Sequence, residues 1–124
     1  MSMNKREFSE KLREYGWPAK EFMIRSGGSL LLRGLREETA DFDLCVSPAL
    51  AEQLDLAHCP RDEYGTFVPF ENVSMTPNLG EVPYDLVEGW QCETLESVLA
   101  LKKRLLREKD LRDIERIEKV LKKG

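Results

Sequence analysis

Histidine is almost absent from this chain: His58 is the only one in 124 residues. A multi-histidine zinc site and Ser-His-Asp hydrolysis therefore have nothing to be built from. Cysteine is sparse as well. Cys45, Cys59 and Cys92 are odd in number and share no metal-ligand spacing, which excludes a zinc ribbon or a disulfide framework and reads as reduced thiols. No apolar run is long enough to span a bilayer, and no leader-like segment opens the chain; the expectation is a soluble, cytoplasmic protein. Aromatic residues make up 8%. Trp17, Trp90 and Tyr84 are assigned to core or rim packing rather than to base stacking, and no pattern supports sequence-specific reading of nucleic acid. The length predicts one domain, residues 1–124, with a helical C-terminal segment over 94–122.

Charge is plentiful but unevenly placed. Residues 102–124 carry ten basic and five acidic side chains, whereas residues 1–101 carry nine basic and eighteen acidic ones. The basic end reads mainly as the solvated face of a helix, although Arg107 and Lys109 stand where they can reach an anion.

The chemistry concentrates between Ile24 and Leu44. Phe22-Met23-Ile24 is strand-like, Gly27-Gly28-Ser29 opens an apolar helical run through Leu35, and eleven residues separate Ser29 from Asp41-Phe42-Asp43. Glycines at a helix head let backbone N–H groups approach a phosphate, and the helix dipole favours negative charge there. Ser29 is expected to cap that helix or to add its hydroxyl to the phosphate. On a strand over 41–46, Asp41 and Asp43 project from one face while Phe42 turns to the core. Two carboxylates side by side repel unless a cation lies between them, and oxygen donors suit Mg²⁺.

These residues, in this order and at this spacing, resemble the DNA polymerase β-type nucleotidyltransferase superfamily. Arg36 and Thr39 fit the R-x-x-T-x-D-x-D form of small bacterial members, which include antibiotic and toxin–antitoxin nucleotidyltransferases. Leu99-Ala100-Leu101-Lys102 and Arg107 to Ile114 resemble a C-terminal segment of those members. The resemblance implies an α/β (α+β) fold with a mixed sheet covered by helices. It implies a nucleoside triphosphate held by Gly27, Gly28 and Ser29, and Mg²⁺ held by Asp41 and Asp43. It further implies a third carboxylate on a neighbouring strand; Asp85 is the first choice and Glu71 the second. The activity implied is transfer of a nucleoside monophosphate to an acceptor hydroxyl on a small molecule, protein or RNA. The other reading is an inactive fold that acts as a binding or antitoxin-like partner. A chain this short leaves little room for an acceptor, so a partner protein or a second copy is expected to supply that surface.

The remaining elements follow from local patterns. Residues 4–15 read as an amphipathic helix stopped by Gly16 and Pro18. Ser47-Pro48 starts a short helix to about Leu54. Thr66–Met75 and Val82–Val87 read as two strands joined at Pro77-Asn78-Leu79-Gly80, a hairpin beside the aspartate strand. Thr94 caps a helix whose buried stripe holds Leu95, Val98, Leu99, Leu105 and Leu106. Lys102 falls in that stripe and is assigned to the phosphate. Asp110 is expected to cap the last helix, with Leu111, Ile114, Ile117 and Leu121 on its buried face.

Overall fold

The computed structural model describes residues 2–123. The first helix, α1 (Lys5–Tyr15), is closed at both ends by its own sequence. Asn4 accepts the Glu7 N–H while Glu7 reaches back to the Asn4 N–H, and Gly16 takes the left-handed conformation that ends the helix. Its apolar face, Phe8 and Leu12, is fully buried. Strand β1 (Phe22–Ile24) follows, buried on both faces, and leads directly into α2 (Ser26–Leu32). Strand β2 (Phe42–Val46) returns antiparallel to β1, with Phe22 opposite Val46 and Ile24 opposite Leu44. Ser47 then caps α3 (Pro48–Gln53), accepting the Leu50 N–H at 3.1 Å, with proline at the first helical position.

Beyond α3 come β3 (Phe67–Phe70), β4 (Val73–Thr76), β5 (Tyr84–Val87) and β6 (Trp90–Glu93), and then helices α4 (Leu95–Leu105) and α5 (Glu108–Lys123). The six strands form one mixed sheet in the order β3-β4-β2-β1-β6-β5. Thus the expected α/β class with a mixed sheet and covering helices is what the structure shows. Strand β2 is central, parallel to β4 and antiparallel to β1. Among the described residues no helix is long and apolar enough to cross a membrane.

The expected hairpin between 66–75 and 82–87 does not form. The first segment is itself a hairpin, β3-β4, turning at Glu71-Asn72. The second pairs with β6 through the two-residue turn Glu88-Gly89. The reason lies in the backbone: Glu88 and Gly89 both have positive φ (53° and 88°), the conformation that matches the twist of paired strands. Asn72, with φ 61°, supplies the left-handed residue of the other turn. Strand β5 is consequently at the far edge of the sheet, with β1, β2 and β6 between it and β4. Pro83, directly before that edge strand, forfeits no ladder bond there.

The core lies between α1 and the sheet, where Phe8 stacks on Phe42 with ring centroids 4.4 Å apart. Each such side chain contributes about 1.5–3 kcal/mol on burial. Trp17 stacks on Tyr15 at 4.3 Å and Trp90 lies tilted against Phe22, so both tryptophans pack in or around the core as expected. A second cluster, Leu30 with Leu95, Val98 and Ile117, fastens α4 and α5 to α2. Leu105, Leu106 and Leu111 were expected in that layer but are 48–61% exposed. Leu106, the residue that caps the C-terminus of α4, is left-handed (φ 44°), and the helix ends there before Leu106 and Leu111 can join the buried stripe.

Candidate active site

A cleft of about 580 Å³ opens above the Asp43 end of β2. The N-terminal turn of α2 (Ser26, Gly27 and Gly28), Asp41, Asp43, the 62–66 loop and the α4–α5 junction (Lys102, Arg107 and Lys109) line it. The size suits a nucleotide-sized molecule. Of the residues singled out from the sequence, Gly27, Gly28, Asp41, Asp43, Lys102, Arg107 and Lys109 therefore share one cavity. Ser29 and Asp85 do not line it.

Ser29 is fully buried, and its hydroxyl donates to the Glu93 carbonyl at 2.7 Å. The helix begins at Ser26, four residues before the start that a Ser29 cap implies, so Ser29 occupies the fourth helical position and is neither cap nor phosphate donor. The serine that reaches the cleft is Ser26, whose own N–H is taken by the Glu93 carboxylate at 3.1 Å. The N–H groups of Gly27 and Gly28 have no acceptor among the described residues, and they belong to the orphan donors of the first turn. The two glycines have different neighbours. A side chain on Gly27 would run into the Arg36 guanidinium, which lies over this turn. One on Gly28 would meet Ile24 Cγ2 at 2.7 Å and Phe8 Cζ at 2.8 Å, both in the core.

Asp43 is half-buried on β2 and Asp41, just before the strand, is exposed. Neither carboxylate makes an ion pair or a side-chain hydrogen bond among the described residues. Burial raises the Asp43 pKa above its ordinary value; Arg25 opposes this, while Glu93, Asp62 and Asp41 reinforce it. A concentration of unpaired oxygen donors with mutual repulsion is the electrostatic setting a hard divalent cation relieves. The residues present thus fit Mg²⁺ through two carboxylates. Among the described residues no three His, Cys, Asp or Glu side chains are grouped to hold a metal ion, so water and substrate oxygens would have to complete an octahedron.

Asp85 lies on the edge strand β5, where it pairs with Arg33 at 3.2 Å. The hairpin geometry that placed it beside Asp43 is not the one formed, and the structure does not bring it to the aspartate pair. Glu71, at the β3–β4 turn, does not line the cleft either. The β4 residue opposite Asp43 is Ser74. Near it stands a carboxylate the sequence reading missed, Asp62. It accepts the N–H groups of Tyr64 and Thr66 at 2.9 and 3.0 Å and the Ser74 hydroxyl at 3.4 Å. The side-chain hydrogen bond from Thr66 is the largest of the influences that lower its pKa. The run Asp62-Glu63-Tyr64-Gly65-Thr66 carries a turn signal of Asp and Gly, but nothing in it announces proximity to β2.

Lys102 is 5% exposed, as its place in the α4 stripe requires, and is held by Asp110 and Asp113, each at 3.2 Å. Asp113 in turn binds Arg36 at 2.6 Å, and Asp110 binds Arg107 at 2.7 Å. Asp110 also accepts the Arg107 N–H at 3.1 Å, so it caps α5 from inside the first turn. Three cations thus share two carboxylates, leaving one net positive charge against the cleft. The network ties the α2–β2 connection to both C-terminal helices. Breaking a pair this buried costs roughly 3–5 kcal/mol when nothing else compensates.

Compared with protein-family models, with curated proteins and with solved structures, the chain matches none.

Proposed function

We propose that this protein is a Mg²⁺-dependent nucleotidyltransferase that moves a nucleoside monophosphate from a nucleoside triphosphate to an acceptor hydroxyl. The observation that carries the reading is the convergence, in one cleft, of two unpaired carboxylates, an uncapped glycine turn and a cationic helix junction. These are the parts needed to hold a metal-bound triphosphate. Asp41 and Asp43 would hold the ion, which would neutralise charge on the α-phosphate and on the departing pyrophosphate. The Gly27 and Gly28 N–H groups would donate to phosphate oxygens, and Lys102, Arg107 and Lys109 would balance the outer phosphates. In the transfer, a bond forms from the acceptor oxygen to the α-phosphorus. The bond from that phosphorus to the pyrophosphate oxygen breaks, and the hydroxyl proton leaves to water. Acceptor binding would fall to a partner protein or a second copy, and a cytoplasmic location accords with free thiols at Cys45, Cys59 and Cys92.

Thermal stability measured with each NTP, with and without Mg²⁺, tests the binding step. Metal-dependent stabilisation that Asp43→Asn abolishes supports it; stabilisation that ignores Asp43 refutes it. Label transferred from [α-³²P]NTP into an acceptor in cell extract tests the chemistry.

A non-catalytic binding role is the second reading. It is favoured by one observation: Ser74, not a carboxylate, stands opposite Asp43 on the neighbouring strand. Metal-independent nucleotide binding, or none, together with a stable complex with another protein would establish it.

A further inference from the structure

Across the sheet beneath the cleft runs a row of side chains with alternating charge. Arg25 follows β1 directly, and its N–H donates to the Asp43 carbonyl at 2.8 Å, which makes the two residues cross-strand neighbours on one face. On the other side of Arg25 lies Glu93, the last residue of β6 and fully buried. The Arg25 Nε is 3.5 Å from Glu93 Oε1, while Asp43 forms no ion pair among the described residues. Arg25 therefore stands between two carboxylates and is drawn to the one outside the cleft. The tether is loose: Nε is buried and has no hydrogen-bond partner among the described residues, so attraction of charges rather than directed bonding holds it. Glu93 is otherwise fixed firmly, accepting the Ser26 N–H at 3.1 Å and the Ser97 hydroxyl at 2.6 Å.

We infer that Glu93 is a positioning residue that holds Arg25 away from Asp43 and so reserves the Asp41–Asp43 pair for a divalent cation. Without the Glu93 charge, the carboxylate that still acts on the guanidinium is that of Asp43, its cross-strand neighbour. A guanidinium paired with Asp43 competes with any metal for the same oxygens. The inference rests on reading Asp41 and Asp43 as a cation site, and it assigns Glu93 a role that its burial and helix contact alone do not require.

Mn²⁺, followed by loss of the free-ion EPR signal on titration into the full chain, is the probe. Glu93→Gln keeps the shape of the side chain, and its amide can still accept from Ser26 and bond to Ser97. Only the charge is removed. Mn²⁺ affinity is expected to fall about tenfold or more, the size of effect that a new Arg–Asp pair produces on a carboxylate. The double variant Arg25→Met/Glu93→Gln removes the competitor as well, and is expected to return to within about twofold of wild type. Because that pair is neutral on both sides, it also serves if the single variant fails to fold. Equal affinity in Glu93→Gln and wild type overturns the inference while leaving the metal site intact. Weak binding that persists in the double variant also overturns it, since Glu93 would then act without Arg25. Failure of wild type to bind Mn²⁺ overturns the cation site itself, and with it both readings.

Discussion

Gly28 and Gly27 are adjacent, yet alanine is expected to destabilise the protein at the first and to leave its stability nearly unchanged at the second. At Gly28 the new methyl would lie 2.7 Å from Ile24 Cγ2 and 2.8 Å from Phe8 Cζ. Both neighbours are 0% exposed and have no room to retreat. Overpacking of this kind costs about 1–3 kcal/mol, offset by about 1 kcal/mol from replacing glycine inside a helix. The net loss then centres on about 1 kcal/mol and reaches at most about 2 kcal/mol, and with about 4 °C of Tm per kcal/mol for a domain this size the melting point should fall by roughly 4 °C. At Gly27 the methyl meets the far end of the Arg36 side chain, which can swing aside, and Thr39 Oγ1 at 3.1 Å. Stability there should stay within about 1 kcal/mol of wild type, because the helical gain offsets the disturbance of the Arg36–Asp113 pair. Circular dichroism melts of the two variants at one pH make the comparison. A Gly28→Ala protein that melts at or above wild type refutes the packing argument. So does a Gly27→Ala protein that loses as much stability as Gly28→Ala.

Asp43→Asn should raise the Tm of the metal-free protein at pH 7. The wild-type carboxylate has its pKa raised by burial and by its acidic neighbours, so its ionised form is a net burden on the native state; an unchanged or lower Tm counts against this. Asp110 has the opposite sign: the Arg107 side-chain hydrogen bond holds its pKa far below the ordinary 3.8. The stability it contributes should be complete above about pH 4 and lost as pH falls further, so Asp110→Asn should flatten the acid limb of a Tm–pH profile recorded from pH 6 to 2. Lys102→Met leaves Asp110 with Arg107 and Asp113 with Arg36. It should therefore fold, while weakening triphosphate binding in calorimetry; unchanged binding would remove Lys102 from the site. Burial pushes the thiols of Cys45 and Cys92 up to about 11 and about 12. A thiol reagent at pH 8 should modify Cys59 alone in the native protein, as read by mass spectrometry.

Much of this architecture was legible from local patterns. The amphipathic spacing over 4–15 and the Ser47–Pro48 signal place helices where they form. The hydrophobic run around Leu44 marks the central strand, and Thr94 caps α4 by accepting the Ser97 N–H at 3.2 Å. The glycine turn and the aspartate pair converge because β1 leads directly into α2 and β2 returns beside β1, a short-range arrangement that sequence spacing captures. What failed was long-range. Pro77 and Gly80 look like stronger turn formers than Glu71-Asn72 or Glu88-Gly89, yet the latter two turns pair the strands, which carried Asp85 to the opposite edge. Strand β6 was missed altogether, and with it Glu93, whose carboxylate and carbonyl account for the places of Ser26, Ser29 and Arg25. Asp62 was invisible because only tertiary folding of its loop brings it near β2. Lys102 was placed correctly as an inward cation; its nearest anions turned out to be Asp110 and Asp113 of the following helix, partners no spacing within α4 discloses.

Mn²⁺ added to the uniformly ¹⁵N-labelled protein in the presence of an NTP examines the central geometry most directly, since paramagnetic broadening marks the amides nearest the ion. The account expects resonances of Gly27, Gly28, Asp41, Phe42 and Asp43 to broaden first while those of Tyr84–Val87 stay sharp. Broadening centred on Asp85, or spectra that Mn²⁺ leaves unchanged, would contradict it.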